Sequence, residues 1–390
     1  AQEFIILKKR ILIFYDHFYP AWKAGGPVQS LVNLVRALYN EYDFYVVCKP
    51  HEMNETAALS GIVTNEWNDW EGKAKVYYMD YGWEKRSQLQ GLMKSVAPDV
   101  IYINGLFSLY FNILPVQYAV DYCKQHHDCK LILSARGMLH PGALSQKALK
   151  KKLFLSLFQL MGWQKKLQWH ATDVQEQEYI QQQFGSNMQV AVAGNFPNFL
   201  PVTAGPYKNE GELIMGTVAL ISPMKNHLAV LNALKNISST VIWHIYGPVK
   251  DAVYWKECEQ LIQQLPSHIK VHYHGELPPT DLLTAMQQIQ LFIMPSKSEN
   301  FGHALLEALS AGKPVITTDT TPFKDLQKVN AGFTVQVSKL EEQLPVAIEQ
   351  FASMNNEQFA SFCEGAALFA RDFVEVDAIR QQYQTLFTTA

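Results

Sequence analysis

The stretch that decides the fold runs from Gln290 to Asp319 and reads QLFIMPSKSENFGHALLEALSAGKPVITTD. Leu291–Met294 is a short apolar run that ends at a proline, which is typical of a buried strand. The residues from His303 to Ser310 are good helix formers with apolar positions on one face. Gly312 is a typical left-handed helix end, and an apolar run starts at Pro314. The stretch therefore predicts a strand, a loop, a helix and a second strand, which together form a βαβ unit.

The loop of this unit combines an anion site with two carboxylates. It lies at the carboxyl end of a strand, where open parallel sheets bind their ligands. Gly302 allows close approach of a ligand to the backbone, and the N–H groups of the first helical turn, near His303 and Ala304, suit a phosphate. Glu299 in the loop and Glu307 on the helix can accept hydrogen bonds from sugar hydroxyls. The pattern predicts a nucleotide-sugar site, and the alternative is that both glutamates are ordinary exposed side chains.

The segment from Glu299 to Glu307, ENFGHALLE, followed by ALSAGKPV, resembles the signature of glycosyltransferase family 4. Members of that family are retaining enzymes with the GT-B fold. The resemblance implies that Glu299 contacts the donor sugar, that Glu307 holds the ribose hydroxyls, and that the backbone between them meets the diphosphate. The donor-binding residues that it implies within this segment are Asn300, Phe301, Gly302, His303 and Ala304.

Composition limits the class of protein. A chain of 390 residues with 48% hydrophobic and 18% charged residues is long enough for two globular domains. The formal net charge of −3 argues against a general nucleic-acid binder. No apolar run reaches the length of a transmembrane helix. The five cysteines have no disulfide-framework spacing and suit a reducing cytoplasm, so we expect a cytoplasmic protein.

The N-terminal half alternates strands and helices from its first apolar run, Ile11–Tyr15. A loop containing Gly25 and Gly26 follows, then a helical pattern, without the GxGxxG pattern of dinucleotide sites. The family resemblance implies that this loop approaches the donor phosphate and the acceptor. Arg136 follows a later strand, where other family members have a histidine. Its guanidinium could neutralise phosphate charge, or the residue could be a structural part of its loop.

The segment 147–166 is basic and amphipathic. Its lysines, Lys147 among them, flank apolar residues that include Leu153, Leu157 and Leu160. Such a segment can lie on an anionic membrane surface, as in family members with lipid-linked acceptors. The alternative is an ordinary helix that packs on the sheet with its lysines in solvent.

The C-terminal half restarts the alternation after a linker rich in proline and glycine, residues 195–211. The family resemblance places Ser222 and Lys225 in a loop that binds the diphosphate. The family has an arginine where Leu220 stands here, so one cation is missing from the usual arrangement. Gly275 ends a strand whose following loop contacts the base in the family. Residues 323–326 are interpreted as a further strand of the second sheet.

The predicted fold class is α/β, with two doubly wound Rossmann-like domains of GT-B type facing a central cleft. The expected boundaries are residues 1–200 for the acceptor-side domain, 201–372 for the donor-binding domain, and 373–390 for a helix that crosses back to the first domain.

The predicted reaction is transfer of a sugar from a UDP- or GDP-linked donor to a glycan or lipid-linked acceptor, in polysaccharide or glycolipid biosynthesis. The candidate catalytic residues are Glu299, Lys225 and Arg136. No Asp-x-Asp motif is present, so we expect no metal and no cofactor besides the co-substrate. Two alternatives stay open, a catalytically silent sugar-nucleotide binder and a nucleotide-sugar epimerase of the same fold.

Overall fold

The computed structural model describes residues 8–145 and 148–388, and the chain divides into two compact units. The N-terminal unit contains the residues up to Phe196 together with those from Val376 onwards, and the C-terminal unit is Pro197–Glu375. Each unit has its own parallel sheet and its own hydrophobic core.

The N-terminal unit is built on an 8-stranded sheet with the order β3-β4-β2-β1-β5-β6-β7-β8. All neighbouring strands are parallel except β3, which pairs antiparallel with β4. The central strands β1 and β5 contain fully buried apolar runs, residues 11–14 and 100–103, because helices cover both faces of the sheet. The strands are β1 Lys9–Phe14, β2 Tyr42–Cys48, β3 Trp67–Trp70, β4 Ala74–Tyr78, β5 Val100–Asn104, β6 Lys130–Ser134, β7 Gln168–Ala171 and β8 Val190–Val192.

The helices of this unit connect successive strands. They are α1 Gly26–Leu38, α2 Ser87–Val96, α3 Leu114–Gln125, α4 Pro141–Ser145, α5 Ala148–Leu160 and α6 Val174–Phe184. A π-helical turn, Leu109–Ile113, precedes α3. The order of chain connections reverses between β1 and β5, which are adjacent in the sheet. The unit is therefore doubly wound, with a topological switch point at the carboxyl ends of those two strands.

The C-terminal unit has a 6-stranded, fully parallel sheet in the order β11-β10-β9-β12-β13-β14. Its strands are β9 Glu212–Val218, β10 Thr240–Tyr246, β11 Ile269–Tyr273, β12 Leu291–Ile293, β13 Val315–Thr318 and β14 Gly332–Val335. Its helices are α7 His227–Leu234, α8 Ala252–Ile262, α9 Leu282–Gln287, α10 His303–Ser310, α11 Leu340–Ser353 and α12 Asn356–Phe373. Here the order reverses between β9 and β12, so this unit is doubly wound as well.

The prediction of a strand at residues 323–326 is wrong. Phe323 is fully buried and stacks on Phe373 of α12, with ring centroids 4.7 Å apart, and Leu326 begins a 3₁₀ turn. The apolar residues that suggested a strand are buried by contacts with a helix. Over so short a run, hydrophobic periodicity cannot distinguish a strand from a loop that packs on a helix.

The last helix, α13 (Val376–Phe387), packs on the N-terminal unit. Tyr383 and Phe387 are buried, and the Phe387 ring lies against the ring of Tyr102, with centroids 5.7 Å apart. The guanidinium of Arg380 donates to a backbone carbonyl of α1 at 3.0 Å. These contacts attach the end of the chain to its first domain.

Candidate active site

Two loops meet at the switch point of the C-terminal sheet. The neighbouring strands β9 and β12 lead at their carboxyl ends into residues 219–226 and 294–302, respectively. The backbone N–H of Lys297 donates to the carbonyl of Met224 at 2.8 Å, which ties the two loops together. Ligands of open α/β sheets bind at this kind of position.

Lys225 and Glu299 face each other across these loops. Lys225 Nζ donates to Glu299 Oε1 at 2.5 Å, and the two side chains are 21% and 12% exposed. The backbone supports both residues, since Lys225 N–H donates to the Ser222 carbonyl at 3.0 Å and Glu299 N–H to the Thr320 carbonyl at 3.4 Å. The fold thus brings together, over 74 residues of sequence, two groups that were predicted separately.

Gly302 sets the start of α10. Its φ is 76°, in the left-handed region, and a Cβ there would lie 2.8 Å from the Phe323 ring. Glycine is needed on both counts. The positive end of the α10 dipole therefore points at the loop that carries Glu299. In the same loop the Phe301 ring packs on that of His303, with centroids 4.5 Å apart, while Asn300 is exposed and Ala304 half-buried.

Glu307 is buried on α10 and is 7% exposed, so it is not the exposed helix glutamate of the alternative interpretation. Asn198 Nδ2 donates to Glu307 Oε1 at 2.9 Å. Burial raises the pKa of Glu307 to about 7, against a smaller lowering effect of the Asn198 hydrogen bond. Sequence reasoning missed Asn198, because a linker asparagine carries no local signal that it reaches α10.

Gly275 follows β11, the edge strand on the other side of β10 from β9. Its φ is 76°, and its carbonyl accepts from Gly247 N–H at 2.7 Å.

Leu220 is half-buried and offers no charge to the loop after β9. Lys297, an exposed residue whose backbone bonds to the Lys225 loop, is a candidate cation in place of the missing arginine. It was not singled out from the sequence.

The remaining predicted residues lie in the N-terminal unit. Gly25, with φ 76°, is the N-cap of α1, and Gly26 is the first helical residue. Arg136 also has positive φ, 51°, and its guanidinium donates to Asn104 Oδ1 at 2.8 Å, Asn195 Oδ1 at 2.8 Å and the Tyr102 hydroxyl at 2.9 Å.

All three acceptors of the Arg136 guanidinium are neutral. Within the described part of the chain, no carboxylate forms an ion pair with it. Burial lowers the pKa of Arg136, but interactions with Tyr102, Tyr383 and Glu176 outweigh this effect, and the pKa lies above its ordinary value. Arg136 therefore stabilises its loop through hydrogen bonds and also remains positively charged.

Glu176 has a structural position, as its two carboxylate oxygens are used within the N-terminal unit. They accept from Gly137 N–H at 2.6 Å and from Thr172 N–H and hydroxyl at 2.7 and 2.8 Å. These bonds hold the loop after β6 against the end of β7, and with it the backbone at Arg136.

A polar cluster that the sequence did not reveal lies at the switch point of this unit. Asp16, two residues after the end of β1, pairs with Lys49 Nζ at 2.6 Å and accepts from the Ser108 hydroxyl at 2.8 Å. The three residues follow β1, β2 and β5, respectively. Only Asp16 gave a signal in the sequence, as a charge immediately after a buried strand.

Helix α5 presents two different apolar faces. Leu155 and Phe158 are buried against the unit, whereas Leu149, Leu153, Leu157 and Leu160 are 86%, 64%, 51% and 82% exposed. Leu153, Leu157 and Leu160 therefore do not pack on the unit. Lys150, Lys152, Lys165 and Lys166 are exposed beside this stripe, and Lys147 lies outside the described residues.

The described residues contain no group of three or more His, Cys, Asp or Glu side chains placed to hold a metal ion. No helix among them is long and apolar enough to cross a membrane.

The segment that contains Lys225, Glu299 and Glu307 is similar to known proteins. Residues 204–363 match the family model for glycosyl transferases group 1. A GDP-mannose-dependent alpha-mannosyltransferase of Mycolicibacterium smegmatis is 29% identical over 142 residues, which are 36% of this chain and 34% of that protein. The match therefore spans about a third of the curated relative.

Solved structures resemble the whole chain. HepE of Anabaena, solved with UDP and glucose, has a TM-score of 0.67 at 17% identity, covering 97% of this chain and 99% of that one. Sucrose-phosphate synthase of Thermosynechococcus elongatus has a TM-score of 0.71 at 15% identity, covering 97% and 98%. The predicted α/β class with two doubly wound domains is confirmed: the chain has the GT-B fold, and its residues 204–363 match the family model for glycosyl transferases group 1.

Proposed function

We propose that this protein transfers a sugar from a nucleoside diphosphate sugar to an acceptor hydroxyl, with retention of the anomeric configuration. The observation that carries the proposal is the Lys225–Glu299 pair, 2.5 Å apart at a topological switch point and beside the N-terminus of α10. It lies inside the glycosyl transferases group 1 domain.

In this proposal the diphosphate is the leaving group, and catalysis consists mainly of holding it and stabilising its developing charge. Lys225 supplies an ammonium, and the Gly302–Ala304 backbone supplies the positive end of a helix. Glu299 orients the donor sugar through its hydroxyls and holds Lys225 in place before the donor arrives. Ser222, Asn300, Phe301 and His303 complete the proposed donor contacts.

Glu307 is proposed to bind the ribose. A carboxylate can accept from two vicinal hydroxyls at once. Asn198 occupies one of its oxygens with a single hydrogen bond, which leaves acceptor capacity on the group. Gly275 is proposed to border the base.

Arg136, Gly25 and Gly26 remain proposals for phosphate and acceptor contacts. Arg136 is supported by a guanidinium whose three hydrogen-bond acceptors are all neutral. We add Asp16 as a candidate acceptor-side residue, since it follows β1 at the switch point of its unit. The mechanism contains no covalent intermediate on the protein, and we propose that it needs no metal.

The donor nucleotide is proposed to be uridine or guanosine diphosphate. HepE was solved with UDP, and the mannosyltransferase relative is described as dependent on GDP-mannose. The proposed acceptor is a glycan or a lipid-linked glycan in polysaccharide or glycolipid biosynthesis, and we propose a cytoplasmic location.

A silent sugar-nucleotide binder is the second candidate function, because Leu220 removes one cation from the diphosphate side. An epimerase is disfavoured, since residues 204–363 match a transferase family.

Retention is tested on the product. Proton NMR of the newly formed linkage, with a donor of known anomeric configuration, should show the same configuration in product and donor. An inverted product would contradict the proposed mechanism and leave the transferase assignment standing. An epimerised nucleotide sugar without transfer would support the epimerase instead.

The exposed leucine stripe of α5 is proposed to insert into an anionic membrane surface, with Lys150, Lys152, Lys165 and Lys166 at the lipid phosphates. Apolar insertion and lysine attraction then add together. Among the leucines of this unit that the structure describes, the stripe contains the largest exposed fractions, 86% for Leu149 and 82% for Leu160.

Vesicle flotation provides the test of this surface. Replacing Leu153 and Leu157 together by Glu is expected to weaken binding to anionic vesicles at least ~10-fold, because two side chains lose their insertion energy. The control is Val253→Glu, at a 73% exposed position on α8. Equal flotation of the double variant and the control would remove the proposal, as would failure of the wild-type protein to float.

A further inference from the structure

A cavity lies in the C-terminal unit, away from the proposed donor site. Its volume is about 530 Å³. Lys313 lines it two residues before β13, and Gln290 lines it directly before β12, so the cavity is at the amino edge of these strands. The Lys225–Glu299 pair is at their carboxyl edge. The rest of the wall used below consists of Val202, Gly205, Phe359, Cys363 and Leu368.

Lys313 is the unusual member of this wall. It is only 2% exposed, yet no hydrogen bond or ion pair found among residues 8–145 and 148–388 involves its Nζ. Burying an ammonium without a partner is costly, and native proteins ordinarily pair such a group. Burial accordingly lowers the pKa of Lys313 to about 8, with a smaller raising effect of Cys363.

Gly205 leaves the space in which this ammonium sits. A Cβ at Gly205 would lie 2.8 Å from Lys313 Nζ and 2.6 Å from the carbonyl of Ile289. Any side chain there would displace the ammonium from the cavity wall. The wall therefore combines a positive charge, the room beside it, and the apolar surfaces of Phe359, Val202 and Leu368.

We propose that this cavity binds a small monocarboxylate with an apolar body, its carboxylate on Lys313 and its hydrocarbon against Phe359 and Leu368. A cavity of this size suits a small ligand, and such sites are characteristically apolar with a few placed polar groups. The ligand supplies the anion that the buried ammonium lacks.

The surroundings favour a single negative charge over a phosphate dianion. Gln290 cannot donate to further oxygens without breaking existing bonds, since its Nε2 donates to the carbonyls of Tyr207 at 2.9 Å and Pro206 at 3.4 Å. Its Oε1 accepts from Ile214 N–H at 2.8 Å. Glu364 is an exposed carboxylate of the cavity lining and repels a second charge.

This site is independent of the proposed function. The donor loops are at the opposite edge of the same sheet, so a carboxylate in the cavity does not occupy the donor site. The cavity can bind a carboxylate even if the protein transfers no sugar, and Glu299→Gln is expected to leave carboxylate binding unchanged.

Calorimetric titration of the full chain with hexanoate, hexanol, hexylamine and inorganic phosphate tests the site. Hexanoate is expected to bind at least ~10-fold tighter than hexanol, because only hexanoate pairs with the ammonium. Binding at pH 8.5 should take up protons, seen as a heat that changes between buffers of different ionisation enthalpy, since the anion raises the pKa of Lys313. Lys313→Met should lose at least ~10-fold in hexanoate affinity, whereas Lys270→Met, at an exposed position of β11, should lose none.

A second variant keeps the test decisive if Lys313→Met does not fold. Leu368→Trp fills the cavity at a half-exposed position and retains the ammonium, and it should also abolish hexanoate binding. Hexanoate affinity that is equal in wild type, Lys313→Met and Leu368→Trp would overturn the site. So would the absence of hexanoate binding to wild type, or phosphate binding as tight as that of hexanoate.

Discussion

Glu299→Gln is expected to lower kcat of sugar transfer by at least about 100-fold, and Lys225→Met by a similar factor, because each removes half of one ion pair at the reacting end of the donor. The neutral amide that replaces the carboxylate no longer holds the ammonium, which lies 2.5 Å from Glu299 Oε1 in the wild-type protein. Replacing Lys225 by methionine removes the cation that is proposed to neutralise the diphosphate.

The two substitutions should not be additive. Residues that act as one unit lose most of their contribution with the first change, so the double variant is expected to be within about 10-fold of the slower single variant. Steady-state kinetics of the three variants measures this. Glu341→Gln and Lys339→Met, both exposed and remote from these loops, are the matched controls. Additive effects would contradict a shared role, and wild-type kcat in either single variant would remove that residue from the mechanism.

Glu307→Gln is expected to stabilise the ligand-free protein at pH 8 by about 3 kcal/mol, since a pKa difference of one corresponds to about 1.4 kcal/mol. The carboxyl has a pKa of about 7 in the folded chain, against an ordinary value of 4.5. Since the folded state binds the proton more tightly, the stability from this group is fully present below about pH 4.5 and is lost as the pH rises through 7.

Urea unfolding of wild type and Glu307→Gln between pH 5 and 8 checks this sign. The wild-type curve should fall relative to that of the variant as the pH rises, and Glu341→Gln should follow wild type. Curves that stay parallel for wild type and Glu307→Gln would show that Glu307 has an ordinary pKa.

Glu307→Gln should also weaken donor binding at pH 8 by about 10-fold, because the ribose hydroxyls then lose a charged acceptor.

The βαβ unit that contains Glu299 and Glu307 was predictable because its signal is local. The residues of the 290–319 stretch are sufficient to predict strand β12, the left-handed Gly302 and helix α10. The predicted helix His303–Ser310 has the observed bounds. The proximity of Lys225 to the Glu299 loop follows from the adjacency of β9 and β12, which the family resemblance implied and periodicity did not.

What the sequence could not provide is long-range burial. Nothing in its own stretch indicates that Glu307 is buried under Asn198, which lies 109 residues away in the chain. The burial of Lys313 without a partner for its Nζ among the described residues likewise depends on segments that are distant in the sequence. The β3 strand was missed for a related reason: its sequence, WNDW, alternates poorly and pairs only along the sheet edge. Whether Leu153 and Leu157 face solvent or the sheet could not be predicted, because helical spacing does not tell which of two apolar faces meets the sheet.

Nucleotide release from a panel of UDP-, GDP- and ADP-sugars, with and without glycan and lipid-linked acceptors, tests the proposed function most directly. We expect one donor class to release its nucleoside diphosphate in an acceptor-dependent manner, and Glu299→Gln to abolish that release while Lys339→Met does not. Tight binding of a nucleotide sugar without release under any acceptor condition would contradict the transferase function and identify a silent binder.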